Sequence, residues 1–296
     1  MWRLNRRCYQ PVSRICIKHI EGTFKGAGKL NLYYQSWHPQ GQAQGIVAIV
    51  HGLGSHSGMF SNAVQYLISQ GYAVYALDLR GHGRSSGQRG HINAWAEFRE
   101  DLNAFLQRIH EQEPSCPCFL WGHSLGGAIV LDYALQSPKS LQGVIVTAPA
   151  LGKVGVSPLK IAIGRLLSRV WPRFSLRVGI DYTASSRDPS VVSTYAQDSL
   201  RHEYGSARLA TEFFAAVDWI QSHISDLQIP LLLLHGSADQ VTLPESSWAF
   251  CEQVTFPDKE CYEYPGSYHD LHADINYREV LADIGNWLKR KTARQD

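Results

Sequence analysis

The chain has 296 residues, 44% hydrophobic and 18% charged, with 28 basic against 26 acidic side chains and a formal net charge of +2. That apolar content can build one large core, or a core with an insertion, and it excludes a disordered or fibrous chain. So small a charge, with no long basic run, argues against nucleic acid as a partner.

Arg3, Arg6, Arg7 and Arg14 crowd the start of the chain, but no apolar run of signal-peptide length follows them. No stretch approaches the ~20 apolar residues that span a bilayer. A cytoplasmic protein is the expectation. The six cysteines, Cys8, Cys16, Cys116, Cys118, Cys251 and Cys261, are scattered in a chain large enough not to need disulfide staples. Cys116-Pro117-Cys118 is one residue short of a CxxC motif and reads as packing rather than redox or zinc chemistry.

In chain order, Ile15 to Phe24 and Leu30 to Trp37 alternate around Gly26-Ala27-Gly28, which predicts an antiparallel hairpin. The pattern then changes to short continuous apolar runs at Ile46–Val50, Ala73–Leu77, Phe119–Trp121, Val144–Val146 and Leu231–Leu234, as expected for strands buried on both faces. Helix-like stretches near 59–69, 95–110, 125–136, 208–223 and 244–254 separate them. Tyr262–Tyr264 reads as the last strand and Arg278–Lys289 as the closing helix. Strands alternating with helices predict an α/β fold with a mostly parallel sheet covered on both faces. The alternation lapses between 151 and 207, where no strand of this kind is expected. The division is therefore a core from 1–150 and 208–296 with a cap inserted at 151–207, over the strand ends where open α/β sheets bind ligands.

Cys118-Phe-Leu-Trp-Gly-His-Ser-Leu-Gly-Gly-Ala128 carries the sharpest signal. An apolar strand stops at Gly122, a helix starts after Ser124, and the GxSxG spacing between them is that of a nucleophile elbow. The glycines are needed because side chains would clash in so tight a turn. A serine hydroxyl becomes a useful nucleophile only when a base takes its proton and a third group holds that base. On the α/β-hydrolase fold the acid and the histidine follow on loops after later strands. Asp239 ends the loop after Leu231–Leu234, and His269 stands in the loop after Tyr262–Tyr264. Asp270 and His272 compete with them, and His269 is favoured over His272 because it lies nearer the strand end. His123 is expected to point away from Ser124 and to be structural. The oxyanion needs donors already in place. The backbone N–H of Leu125 supplies one, and that of Leu53 in His51-Gly52-Leu53-Gly54 is the natural second. Asp78 to Ser85 lacks the pattern of a phosphate loop, so Arg80 and His82 are read as loop scaffolding.

With these motifs placed, the chain resembles the lysophospholipase and monoacylglycerol lipase family of serine α/β hydrolases over most of its length. His51 to Ser57 resembles the family's oxyanion segment, Asp78 to Gly87 its strand-four loop, Gly122 to Gly127 its GHSMGG elbow, Gly236 to Asp239 its acid loop and Tyr268 to His272 its histidine loop. Arg187-Asp188-Pro189 through Tyr195 and Asp198 resembles the end of its cap. Leu125 stands where methionine is frequent, and Ser199 where proline is usual. The first 15 residues and most of the cap match nothing in the family. The resemblance implies hydrolysis of a small lipid ester, monoacylglycerol or lysophospholipid, with no metal and no cofactor. An amidase or aminopeptidase on the same fold, or a silent ligand-binding relative, are the alternatives.

Within the cap, Lys153, Lys160, Arg165, Arg169, Arg173 and Arg177 accompany Ile161, Ile163, Leu166, Leu167, Val170 and Trp171. Two readings are equally open. One is a basic amphipathic helix resting on a membrane surface, and the other is an ordinary helix packed on the core.

Overall fold

A computed structural model describes residues 18–136, 141–152 and 158–293. Arg3, Arg6, Arg7, Cys8, Arg14, Cys16 and Lys153 lie outside them. The hairpin forms as β1 (Lys18–Lys25) and β2 (Asn31–His38), paired antiparallel. The apolar runs form β3 (Ile46–Val50), β4 (Ala73–Leu77), β5 (Cys118–His123), β6 (Gly143–Thr147), β9 (Leu231–Gly236) and β10 (Lys259–Tyr264). One eight-stranded sheet results, in the order β1-β2-β4-β3-β5-β6-β9-β10, with every pair from β4 to β10 parallel.

The continuous apolar runs have a direct cause in this sheet. Side chains alternate between faces. Ile46, Ala48 and Val50 face one layer, with α2 (Ala96–Gln112), α3 (Leu125–Gln136) and α6 (Ala207–Ser222), whereas Val47 and Ile49 face the other, with α1 (Ser61–Ser69) and α8 (Tyr277–Thr292). A strand buried on both sides has no position for a polar residue that lacks a partner. Helix α3 sits so deep that every residue from Leu125 to Ala134 is buried.

Among its described residues, the stretch from 151 to 207 contributes no strand to this sheet. It holds α4 (Pro158–Val170), α5 (Pro189–Gln197) and a separate two-stranded ribbon of β7 (Ser175–Arg177) with β8 (Tyr204–Ser206), neither strand being of the buried apolar kind. At three residues each, these strands are too short to carry a periodic signal. Ser206 ends the stretch by capping α6, its hydroxyl accepting from Leu209 N at 3.1 Å.

Cys251 in α7 (Pro244–Gln253) and Cys261 in β10 are joined in a disulfide, a pairing the scattered spacing did not suggest. The turn from α7 into β10 brings their Cα atoms to 6.7 Å. Cys116 and Cys118 are unpaired, and burial pushes their thiols up to about 11 and about 12.

Candidate active site

Parallel strands deliver their following loops to one edge of the sheet. There the loop after β3 brings His51 to Phe60, the turn after β5 brings Ser124, and the loops after β9 and β10 bring Asp239 and His269.

Ser124 has φ +56°, in the left-handed region that non-glycine residues rarely adopt. Its N–H donates to Thr147 O at 3.0 Å, and its carbonyl accepts from Gly127, Ala128 and Ala150. A side chain at Gly122 would collide with the Gly126 carbonyl, and one at Gly126 with the Val50 carbonyl. The glycines thus let β5 and α3 meet at a tight corner that presents Ser124 to the cavity.

Asp239 is buried and accepts five hydrogen bonds. Its Oδ1 takes Val241 N (2.7 Å) and Thr242 N (3.1 Å), while its Oδ2 takes His269 Nδ1 (2.7 Å), His235 Nε2 (3.0 Å) and Thr242 Oγ1 (2.9 Å). Burial opposes its charge, but the positive field and hydrogen bonds of His269 and His235 prevail and hold its carboxyl well below the usual range. His269 shows the reciprocal balance. Burial disfavours the imidazolium, Asp239 favours it more strongly, and the net direction is upward.

Because Nδ1 of His269 is committed to Asp239, Nε2 is the nitrogen left for a proton transfer. His269 and Ser124 line the same cavity, of about 560 Å³, and are not hydrogen-bonded to each other. Catalytic hydrogen bonds are often long without substrate and tighten when it is bound. His272 lines the cavity too but stacks on Phe60, ring centroids 4.3 Å apart, and burial pushes it down to about 3.

His123 departs from expectation by lining the cavity beside Ser124. Its Nε2 lies 2.9 Å from Asp270 Oδ1 and its Nδ1 lies 3.1 Å from Thr147 Oγ1. Its ring centroid is 4.8 Å from that of His269. Burial lowers the pKa of His123, while burial's opposite push on Asp270 is outweighed by the histidines around it, which keep that carboxyl well below the usual range.

Leu53 and Leu125 line the cavity. Leu125 begins α3, so no earlier carbonyl of that helix can accept its N–H. Beneath them, a side chain at Gly52 would press within 2.9 Å of Ser124 Cβ. His51 fixes this loop: its Nδ1–H donates to Gly52 O (2.7 Å) and its Nε2 accepts from Leu79 N (3.0 Å), with burial pushing its pKa down to about 4. Asp78 accepts from Ser57 N (2.7 Å) and Arg84 N (2.8 Å). Arg80 is buried and bonded to Asp101, Nε to Oδ2 at 2.6 Å, with Glu97 2.8 Å from its Nη1, and His82 Nδ1 lies 2.9 Å from Arg80 O. The 78–85 loop therefore buttresses the 51–57 loop.

Two residues of this network were not anticipated. His235 is a single polar residue closing an apolar run, and Thr242 lies three residues past the acid. Neither belongs to a motif. The one available signal is that a histidine fully buried in a strand needs a polar partner nearby.

The chain also resembles known proteins in sequence and in fold. The sequence profile of the family described as Hydrolase_4, serine aminopeptidase, S33, matches residues 41–276. A monoacylglycerol lipase of Mycolicibacterium smegmatis is 32% identical over 271 residues, covering 90% of this chain and 96% of that protein. A monoglyceride lipase of Rattus norvegicus is 31% identical, with 88% of each chain covered. The crystal structure of a Paleococcus ferrophilus monoacylglycerol lipase superposes with a TM-score of 0.80 at 34% identity, covering 88% of this chain and 99% of that one. The chain belongs to the Hydrolase_4 family of serine α/β hydrolases.

Proposed function

We propose that this chain is a carboxylic ester hydrolase that cleaves monoacylglycerol to fatty acid and glycerol through an acyl-enzyme on Ser124. The observation that carries the reading is the 2.7 Å bond between His269 Nδ1 and Asp239 Oδ2 at the rim of a cavity that Ser124 also lines. His269 Nε2 takes the Ser124 proton as Oγ attacks the ester carbonyl. The N–H groups of Leu53 and Leu125 hold the oxyanion, and losing one such donor costs ~10²-fold or more in turnover. The same proton passes to the departing glycerol oxygen. Water, deprotonated by His269, then releases the fatty acid and restores Ser124. Asp239 keeps the ring oriented and stabilises the imidazolium. Val178, Ile180, Leu209, Phe213 and Phe214 give the cavity the apolar wall that an acyl chain requires.

In this reading 151–207 acts as the cap and touches the membrane surface that holds the substrate. Its support is an exposed apolar face: Leu159 and Val170 are each 70% exposed, and Ile163, Leu166, Trp171 and Leu176 are exposed beside Arg165, Arg169, Arg173 and Arg177. Such a face suits anionic lipid, where each nearby basic residue contributes about 1 kcal/mol. No helix among the described residues is long and apolar enough to cross a membrane. In this reading the protein acts at the membrane surface as a peripheral enzyme. Replacing Arg165, Arg169 and Arg173 by Glu should weaken binding to anionic liposomes, and unchanged binding would remove the membrane contact from the account.

The catalytic reading is tested by a hydrolysis panel of long-chain monoacylglycerol, p-nitrophenyl esters and aminoacyl amides, with Ser124→Ala as blank. Turnover of monoacylglycerol that vanishes in the blank supports it. Turnover of amides alone contradicts it.

A further inference from the structure

Three side chains lining the cavity converge as metal ligands do. His123, His269 and Asp270 are all buried, each offers one ligand atom, and these atoms lie within 4.8 Å of one another. The two imidazole centroids are 4.8 Å apart, and His123 Nε2 is already 2.9 Å from Asp270 Oδ1. Ligand atoms about 2.0 Å from a tetrahedral zinc ion stand about 3.3 Å from each other, so an adjustment of about 1.5 Å or less closes the triangle.

The surroundings supply what a ligating imidazole needs, an oxygen that holds its second ring nitrogen and so fixes ring and tautomer. His269 Nδ1–H donates to Asp239 Oδ2 at 2.7 Å, which leaves the lone pair on Nε2. His123 needs one proton to move. The Asp270 carboxylate can only accept, so in the metal-free protein Nε2 carries the proton and Thr147 Oγ1, 3.1 Å away, donates to Nδ1. The Thr147 carbonyl oxygen also lies 3.1 Å from Nδ1. Transfer of the proton from Nε2 to Nδ1 therefore keeps it hydrogen-bonded, now to Thr147 O, and frees Nε2 as a ligand with no change in the charge of the ring. The balance of charge points the same way. Asp239 and Asp270 place two carboxylates against the two imidazoles. Arg201 also lines the cavity and opposes a cation, but its guanidinium stacks on Tyr182 and Tyr195 and interacts with the Asp198 carboxylate.

We propose that His123, His269 and Asp270 form an inhibitory zinc site, in which Zn²⁺ takes the nitrogen that otherwise accepts the Ser124 proton. This rests on the reading of His269 as the base. Two imidazoles and one carboxylate suit zinc, whereas magnesium prefers an all-oxygen shell. The fourth position is left to water from the cavity. With His269 Nε2 ligated, Ser124 keeps its proton and the ester carbonyl is not attacked. Removal of the ion restores the base.

Calorimetry with zinc chloride on the full-chain Ser124→Ala protein reads the site apart from catalysis. One ion per chain should bind, and Asp270→Asn or His123→Asn in that background should each weaken binding by about tenfold or more. Thermal melts identify which of the two variants is folded, and either one suffices. In wild type, zinc should inhibit hydrolysis of a p-nitrophenyl ester and slow fluorophosphonate labelling of Ser124 by a matching factor. EDTA should reverse both effects, and magnesium at the same concentration should produce neither. Zinc that binds a folded Asp270→Asn or His123→Asn protein as tightly as the parent, or that binds wild type without slowing the labelling, overturns the proposal. A Ser124 that takes no fluorophosphonate even in EDTA would instead count against the catalytic reading, while the calorimetry still reports on the metal site.

Discussion

His235 Nε2 lies 3.0 Å from Asp239 Oδ2, so the carboxylate that holds His269 is itself held by a second, fully buried histidine. Ser247 Oγ, 2.7 Å from His235 Nδ1, fixes the tautomer that keeps the Nε2 proton toward Asp239. His235→Ala should therefore lower stability by ~2 kcal/mol, from a lost buried hydrogen bond and the cavity left behind. It should also lower kcat, with a smaller change in KM. Denaturant melts and steady-state kinetics check this, and a KM-only effect would separate His235 from the reaction.

Asp239 raises the pKa of His269, and a base must be neutral to accept a proton. The wild-type rate should fall as pH drops through a value above the ordinary 6.5 of histidine. Asp239→Asn removes the charge that favours the imidazolium, so the acid limb should move to lower pH while kcat drops by ~10⁴-fold. The stability linkage runs the other way for the acid. Its depressed pKa contributes stability that is present above its unfolded value of about 3.9 and is lost as pH falls further. Wild type should thus be more sensitive than Asp239→Asn to strongly acid melts.

Ser124 adopts φ +56°, a strain that glycine does not feel. Ser124→Gly should be inactive yet more stable than Ser124→Ala, by ~1 kcal/mol. Gly126→Ala should do the opposite, because the added carbon meets the Val50 carbonyl and the corner must open. Paired thermal melts decide both.

Arg187 joins the 151–207 stretch to the histidine loop. Its Nε donates to Asp274 Oδ2 at 2.8 Å, and its Nη2 donates to Asn276 Oδ1 at 2.7 Å and Ser267 Oγ at 3.1 Å. Asp274 is fully buried, and it also accepts from Tyr268 N beside His269. Arg187→Ala leaves that carboxylate without its cation and should lower stability by ~3 kcal/mol. It should reduce kcat as well, through the loosened His269 loop, which parallel melts and kinetics would reveal.

The parts of the fold visible in the sequence are those where one physical demand dictates a pattern. Ile46–Val50 and Ala73–Leu77 match β3 and β4 residue for residue because a strand buried on both faces admits no polar break. The Ser124 corner is legible because steric demand at Gly122 and Gly126 leaves a fixed spacing. What escaped depends on long-range packing. His235 and Thr242 meet Asp239 only once the β9 loop closes, and His123 faces the cavity because Asp270, 147 residues away, draws its ring there. Cys251 and Cys261 gave no motif, and β7 and β8 are stabilised by each other rather than by periodicity.

In this mechanism Ser124 is the nucleophile and the His269–Asp239 pair is its base. Reaction of the folded full chain with a fluorophosphonate, followed by peptide mass spectrometry, tests it most directly. One adduct should form, on the peptide containing Ser124, lost in Ser124→Ala and strongly slowed in His269→Ala. A folded protein that takes no label, or takes it at another residue, would contradict it.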